Sequence, residues 1–267
     1  MVVESKDEIE TKIIFVDNYT YEATHIFNAN AFGDALKEDV GACITRMVIF
    51  RHSVREVCAQ VSKDFEIFEE ILEKQIEELA ISAMKRPDLT LVCYHDNTHY
   101  ITSVFSSLIY LKSFLDMYSK LIVRSINPDQ TVLFSKARVD EENKQIAGGK
   151  LIKWLRNSAP AQYMELSEVI LEHSKDWINL AVRYRDTLIH YGDLRELHRM
   201  RLPLRPENPP FSAKEIEPPK MPHGDDVRGY VQDLSKKVHK FLEETIPLIP
   251  NVNMELVNFR EFPLNTS

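Results

Sequence analysis

Between Ala161 and Tyr191 the chain places Leu166, Ile170, His173, Trp177, Ala181, Tyr184 and Leu188 at steps of three and four. An α-helix, at 3.6 residues per turn, brings such a series onto one face, whereas a strand scatters it over two. A seam of this length predicts a helix lying nearly parallel to its neighbours in a bundle. Other segments repeat the pattern. Residues 62–84 carry Phe65, Phe68, Ile71, Leu72, Ile76, Leu79 and Ala83 on one side, and Asp64, Glu66, Glu69, Glu70, Glu73, Glu77 and Glu78 on the other. Asp96-Asn97-Thr98 offers cap residues for a helix running to about Arg124, with Phe105, Leu108, Leu111, Leu115, Tyr118 and Ile122 as its stripe. Lys150 to Arg156 reads as a short helix after a Gly148-Gly149 turn. Val227 to Thr245, capped by Asp225-Asp226, turns Val231, Leu234, Val238 and Leu242 inward.

β signals are confined to the ends and one connection. Lys12 to Val16, a turn at Asp17-Asn18 and Tyr19 to Phe27 read as a hairpin; Leu89 to Tyr94 and Glu255 to Phe262 read as single strands. Residues 128–149, and the stretch 202–223 with seven of the thirteen prolines, read as exposed loops. The expected fold is therefore mainly all-α, an antiparallel helical bundle with small β appendages at the N- and C-termini. Two domains are expected: residues 1–90 with the hairpin and long helices packing on the core, and residues 91–267 with the bundle.

Composition narrows the functions open to such a bundle. Only 7 glycines occur in 267 residues, and neither a phosphate-binding loop nor a dinucleotide fingerprint is present. A net charge of −8 argues against a surface that coats itself with nucleic acid, and leaves room for a local basic patch. Cys43, Cys58 and Cys93 are odd in number and far apart, which suits reduced thiols rather than a disulfide frame or zinc site. The N-terminus shows no signal-peptide apolar region and the sequence no membrane-length apolar run, so a cytoplasmic protein away from membranes is expected. No cofactor and no metal is expected. His95 and His99 have the i, i+4 spacing of metal ligands, but Asp96 between them is better used as a cap. His173, Trp154 and Trp177 read as packing residues.

The segment richest in chemistry is Arg185-Asp186-Thr187-Leu188-Ile189-His190, at the end of the longest predicted helix. With an arginine, a polar residue and then a histidine at this gap, on a bundle helix followed by one more helix, the chain resembles the HEPN superfamily over roughly residues 96–245. The tyrosine that some members carry two places after the histidine is replaced by Gly192, with Tyr191 directly beside His190. The resemblance implies a homodimer and, in active members, metal-independent cleavage of RNA by attack of the 2′-hydroxyl on the adjacent phosphate. It further implies a toxin or defence role, with an antitoxin-like protein as partner.

The residues fit that chemistry. Histidine serves as acid or base near neutrality, and arginine grips phosphate oxygens through two donors. Asp186 lies four residues before His190, on the same face, positioned to orient its ring. Six arginines (183, 185, 195, 199, 201 and 205) cluster between Arg183 and Arg205, with Arg183, Arg195 and Arg199 as candidate contacts to RNA phosphates. Geometry sets a condition: five steps of about 100° leave Arg185 and His190 about 140° apart on a regular helix. Either the helix distorts before Gly192, or two copies share a composite site. Three readings stay open: catalysis by Arg185, His190 and Asp186; a non-catalytic dimerisation or nucleotide/RNA-binding module with a structural Arg–Asp network; and an interaction protein using the acidic face of 62–84.

Overall fold

The computed structural model describes residues 12–16, 23–29, 34–85, 90–94, 98–139, 144–191, 199–203, 217–250 and 252–255. The chain is mostly helical. Its longest element, α1, runs unbroken over Asp34–Lys85. That stretch contains no proline and a single glycine, Gly41, so nothing in it interrupts the hydrogen-bond ladder until Pro87 approaches. Val40, Cys43, Met47, Phe50, Val54, Val57 and Val61 are buried along α1 at steps of three and four. Helix α2 spans Thr98–Ile126, close to expectation, and buries Leu108, Leu111, Leu115, Tyr118 and Ile122. Residues 95–97, where the expected cap lies, are outside the described residues, as are the turn at 17–18 and Gly192. Among the described residues no helix is long and apolar enough to cross a membrane.

Cα packing divides the chain into two compact units. The first comprises residues 1–49, 110–182 and 237–267. Its three-stranded antiparallel sheet has the order β1 (Lys12–Val16), β2 (Ala23–Ala29), β7 (Val252–Glu255). The expected hairpin is present. Val252 to Glu255 pairs with Ala29 to Ile26; of the strand expected over 255–262, only Glu255 lies within the described residues.

The segment 128–149 is not the free loop its polarity suggests. Short strands β4 (Ala137–Arg138) and β5 (Gln145–Ile146) pair within it, and Phe134, Ile146 and Ala147 are buried. Gly148 then turns the chain at φ 76°, a left-handed conformation that glycine adopts freely, into α3 (Gly149–Asn157). A β-carbon on Gly148 would also meet the Phe134 ring at 2.5 Å. Trp154 on α3 is half-buried rather than core, its indole N–H donating to Gln130 Oε1.

The predicted helix 161–191 is continuous but not uniform. A 3₁₀ turn (Ala161–Tyr163) leads into α4 (Met164–His173), a π-turn over Ser174–Ile178, and then α5 (Asn179–Tyr191). All seven seam residues are buried, and so are Ser174, Ile178 and Val182. That apolar face is wider than one 3.6-residue stripe, and the single extra residue of a wide turn lets both rows point inward. The π-turn is held by polar contacts. The Trp177 indole N–H donates to His173 Nδ1 at 2.9 Å; since indole only donates, the histidine proton sits on Nε2, which donates to Glu244 Oε2 at 2.7 Å. Phe241 lies edge-on to both rings.

The second unit comprises residues 50–109 and 183–236. It carries a two-stranded antiparallel ribbon of β3 (Thr90–Tyr94) and β6 (Arg199–Pro203), so the start of the proline-rich stretch is strand rather than loop. Helix α6 spans Val227–Thr245, as predicted, and Val231 and Leu234 in this unit and Val238 and Leu242 in the first are buried. Asp226 Oδ1 accepts the Gly229 amide at 2.7 Å, the expected cap of this helix.

Candidate functional site

The Arg185–His190 segment occupies the last turns of α5, within the second unit. Helical phase sorts its residues. Tyr184 and Leu188 are buried, Arg185, Asp186 and Thr187 are half-buried, and Arg183, Ile189 and His190 are exposed. Arg185 Nη1 donates to Asp186 Oδ1 at 2.9 Å, although neighbouring positions on a helix do not face each other and both side chains must bend to meet. The Arg185 Nε–H is buried and has no acceptor among the described residues. Thr187 Oγ1–H returns to the Arg183 carbonyl at 2.9 Å, as a hydroxyl inside a helix does.

Helix α5 is regular from Asn179 to Tyr191, so no local distortion brings Arg185 and His190 together. Arg183 and His190, seven residues apart, share a face about two turns from each other. Of the other predicted phosphate contacts, Arg199 begins β6 opposite Tyr94, and Arg195 lies outside the described residues. His95 and the His99 side chain also fall outside them.

A second constellation in the same unit was not anticipated. Tyr184, between the two arginines of α5, hydrogen-bonds through its hydroxyl to His223 Nδ1. His223 Nε2 in turn meets Asp225 Oδ2 at 2.7 Å. The imidazole stacks on the Tyr184 ring, centroids 5.3 Å apart, and the Tyr230 ring stands edge-on to both. The turn that presents His223 is tied down by backbone bonds from Met221 N–H to Asp225 O, Gly224 N–H to Met221 O and Val227 N–H to Pro219 O. Gly224 at φ 104° provides the reversal that returns the Asp225 carboxylate to the histidine two residues before it.

Burial sets the electrostatics of this cluster. It pushes the Tyr184 phenol above its ordinary range, against the pull of the Arg183 guanidinium and of hydrogen bonds from Arg183 and His223. It raises Tyr230 strongly, reinforced by the carboxylates of Asp233 and Asp225. Both phenols are thus held neutral, as hydrogen-bond donors. The Tyr230 hydroxyl is buried and has no partner among the described residues.

Sequence reasoning took Tyr184 as packing and Asp225 as a cap, and passed over His223. The local signal was His223-Gly224-Asp225, a histidine and a carboxylate flanking a glycine; the Tyr184 partner, 39 positions away, leaves none. Comparison with protein-family models, with curated proteins and with solved structures finds no match to this chain.

Proposed function

We propose that this chain is a HEPN-like, metal-independent endoribonuclease working as a homodimer, in the toxin or defence role that the resemblance implies. The observation that supports it best is the state of Arg185. Its guanidinium is pinned by Asp186 through one nitrogen while its buried Nε–H lacks an acceptor among the described residues. A buried donor without a partner costs about 1–3 kcal/mol. A phosphate oxygen relieves that cost with charge assistance. His190, exposed on the same helix, supplies proton transfer, and Arg183 on its face extends the phosphate contact. Since α5 keeps Arg185 and His190 about 140° apart in one copy, two-fold pairing of α5 helices builds the shared cleft.

The regularity of α5 also favours a second reading, a non-catalytic dimerisation or nucleotide/RNA-binding module, which binds RNA and leaves it intact. Complementation separates the two. Arg185→Ala and His190→Ala should each lose RNA cleavage in EDTA, and mixing the two inactive proteins should restore part of it through mixed dimers. Cleavage by His190→Ala at the parent rate would refute the composite site, and tight RNA binding with no cleavage by the parent would establish the second reading.

A further inference from the structure

Helix α3 carries a face of cations and one tryptophan that nothing in the Arg185–His190 reading uses. We propose that Lys150, Lys153 and Trp154 of α3, with Arg138 of β4, form a binding surface for single-stranded nucleic acid, on which Trp154 stacks against a base while the cations meet phosphates. The surface lies within the first unit and the Arg185–His190 segment within the second. It goes beyond the cleavage reading, because it holds a strand whether or not the chain cuts one.

Helical phase and packing carry the argument. Gly149, Leu151, Ile152 and Leu155 are buried and fix the inner side of α3. At about 100° per residue, Lys150, Lys153, Trp154 and Asn157 then share one arc of about 100° on the outer side. Lys150, Lys153 and Asn157 are exposed; Trp154 is half-buried, with its indole N–H held by Gln130. A tryptophan serving the core alone would follow Leu151 and Leu155 inward, whereas this one stands among the cations. Gly149 brings β4 to the same place. A β-carbon on it would meet the Ala137 carbonyl oxygen at 2.4 Å, and the Lys150 amide donates to the Ser135 carbonyl at 3.2 Å. Lys136 and Arg138, exposed on either side of Ala137, therefore lie beside the first turn of α3.

Charge identifies the kind of partner. Asp and Glu outnumber Lys and Arg by 41 to 33 in the chain, yet none occurs from Asn143 to Met164, a stretch that contains Lys144, Lys150, Lys153 and Arg156. Elsewhere lysines sit with carboxylates: on α6, Lys240 lies 3.5 Å from Glu244 and Lys237 lies 3.7 Å from Asp176. On α3 only Arg156 is so paired among the described residues, with Glu168 at 2.7 Å. Cations without local carboxylates, grouped around an aromatic ring, complement a polyanion that also carries flat rings. Single strands are held in this way without sequence preference, by phosphates on a cationic track and bases stacked on aromatic side chains. A duplex keeps its bases inside, and a run of carboxylates has none to stack.

The test titrates the full-length protein into a dye-labelled 2′-O-methyl RNA, which cannot be cut through its 2′-oxygen, and into single-stranded DNA of the same sequence, reading anisotropy over a range of salt. The two arms distinguish which strand the surface takes. Each phosphate neutralised on a single strand contributes about 0.7 to the slope of log affinity against log salt. Lys150→Gln/Lys153→Gln should therefore flatten that slope by about 1.4, a loss of about 25-fold in affinity at about 0.1 M salt against about 1 M. Lys236→Gln/Lys240→Gln, exposed lysines of α6 with the same change of charge, should leave it in place. Trp154→Leu should weaken binding by about 5–150-fold, the worth of one base stacked on an aromatic ring. In the parent the strand should quench tryptophan fluorescence, and in Trp154→Leu it should not, since the remaining Trp177 is 3% exposed. Circular dichroism checks that each variant folds, and the quenching in the parent needs no variant. No quenching in the parent, an unchanged affinity and slope in Lys150→Gln/Lys153→Gln, or competition by duplex RNA or polyglutamate as strong as by the single strand overturns this inference. The cleavage reading is tested separately by the EDTA assay and stands or falls without it.

Discussion

Tyr184 and Tyr230 pack against each other with ring centroids 5.7 Å apart, yet their hydroxyls are in opposite states. That of Tyr184 is bonded to His223, and that of Tyr230 is buried without a partner among the described residues. Removing the same atom from each should therefore change stability with opposite sign. Tyr184→Phe gives up one hydrogen bond, worth about 0.5–1.5 kcal/mol net, and solvent can reach the half-exposed His223 that loses it, so a loss of about 1 kcal/mol is expected. Tyr230→Phe deletes a group whose burial without a partner costs about 1–3 kcal/mol, at the expense of contacts made by one oxygen atom. The expected result is a gain of about 1 kcal/mol. The two variants should thus differ by about 2 kcal/mol, read as urea midpoints at unchanged m-value. For a chain of this size that corresponds to roughly 4–8 °C in Tm. Equal losses in both variants would refute the reasoning, since they would mean that the Tyr230 hydroxyl has a partner worth as much as His223.

Three further outcomes follow from the first unit. His173→Leu strands the buried Trp177 indole N–H and removes two edge-on ring contacts while keeping most of the volume; a loss of about 2–4 kcal/mol is expected in chemical denaturation, and a change under 0.5 kcal/mol would contradict the assigned tautomer and network. The hydrogen bond from His173 holds the Glu244 carboxyl below its ordinary value, so this stabilisation is present above the unfolded carboxyl range near 4.5 and is lost as pH falls through the lowered folded value. Stability of the parent relative to Glu244→Gln, followed from pH 7 to pH 2, should shrink over that window; a difference independent of pH would contradict it. Gly148→Ala combines a left-handed backbone with a clash against the Phe134 ring and should lower stability by more than the roughly 1 kcal/mol that a left-handed backbone alone costs a residue with a β-carbon, read by chemical denaturation; a neutral result would show that the turn relaxes freely.

What the sequence made legible follows from the range of the forces involved. The seam from Leu166 to Leu188 and the inner face of α6 were readable because helical periodicity is local and every residue of both series is buried. Gly148 was readable as a turn because only backbone freedom was at stake. The π-turn was not, since its cause is a second buried row, Ser174, Ile178 and Val182, that overlaps the first at spacings a regular helix also allows. The anchoring of 128–149 rests on Phe134, one aromatic in a polar stretch, whose burial depends on packing beyond its neighbours. In the site, the phase argument separating Arg185 from His190 needed only 3.6 residues per turn, and the regular α5 bears it out. The Tyr184–His223–Asp225 cluster needed the end of α5 and the turn before α6 to meet across the proline-rich stretch, and no sequence spacing encodes that meeting.

The measurement that tests the central claim most directly is mass spectrometry of the RNA ends left after incubation with purified full-length protein in EDTA. Fragments ending in 2′,3′-cyclic phosphate, with 5′-hydroxyl partners, are predicted, because that product forms only when the neighbouring 2′-oxygen attacks the phosphate. Intact RNA, or fragments ending in 3′-hydroxyls, would contradict the account.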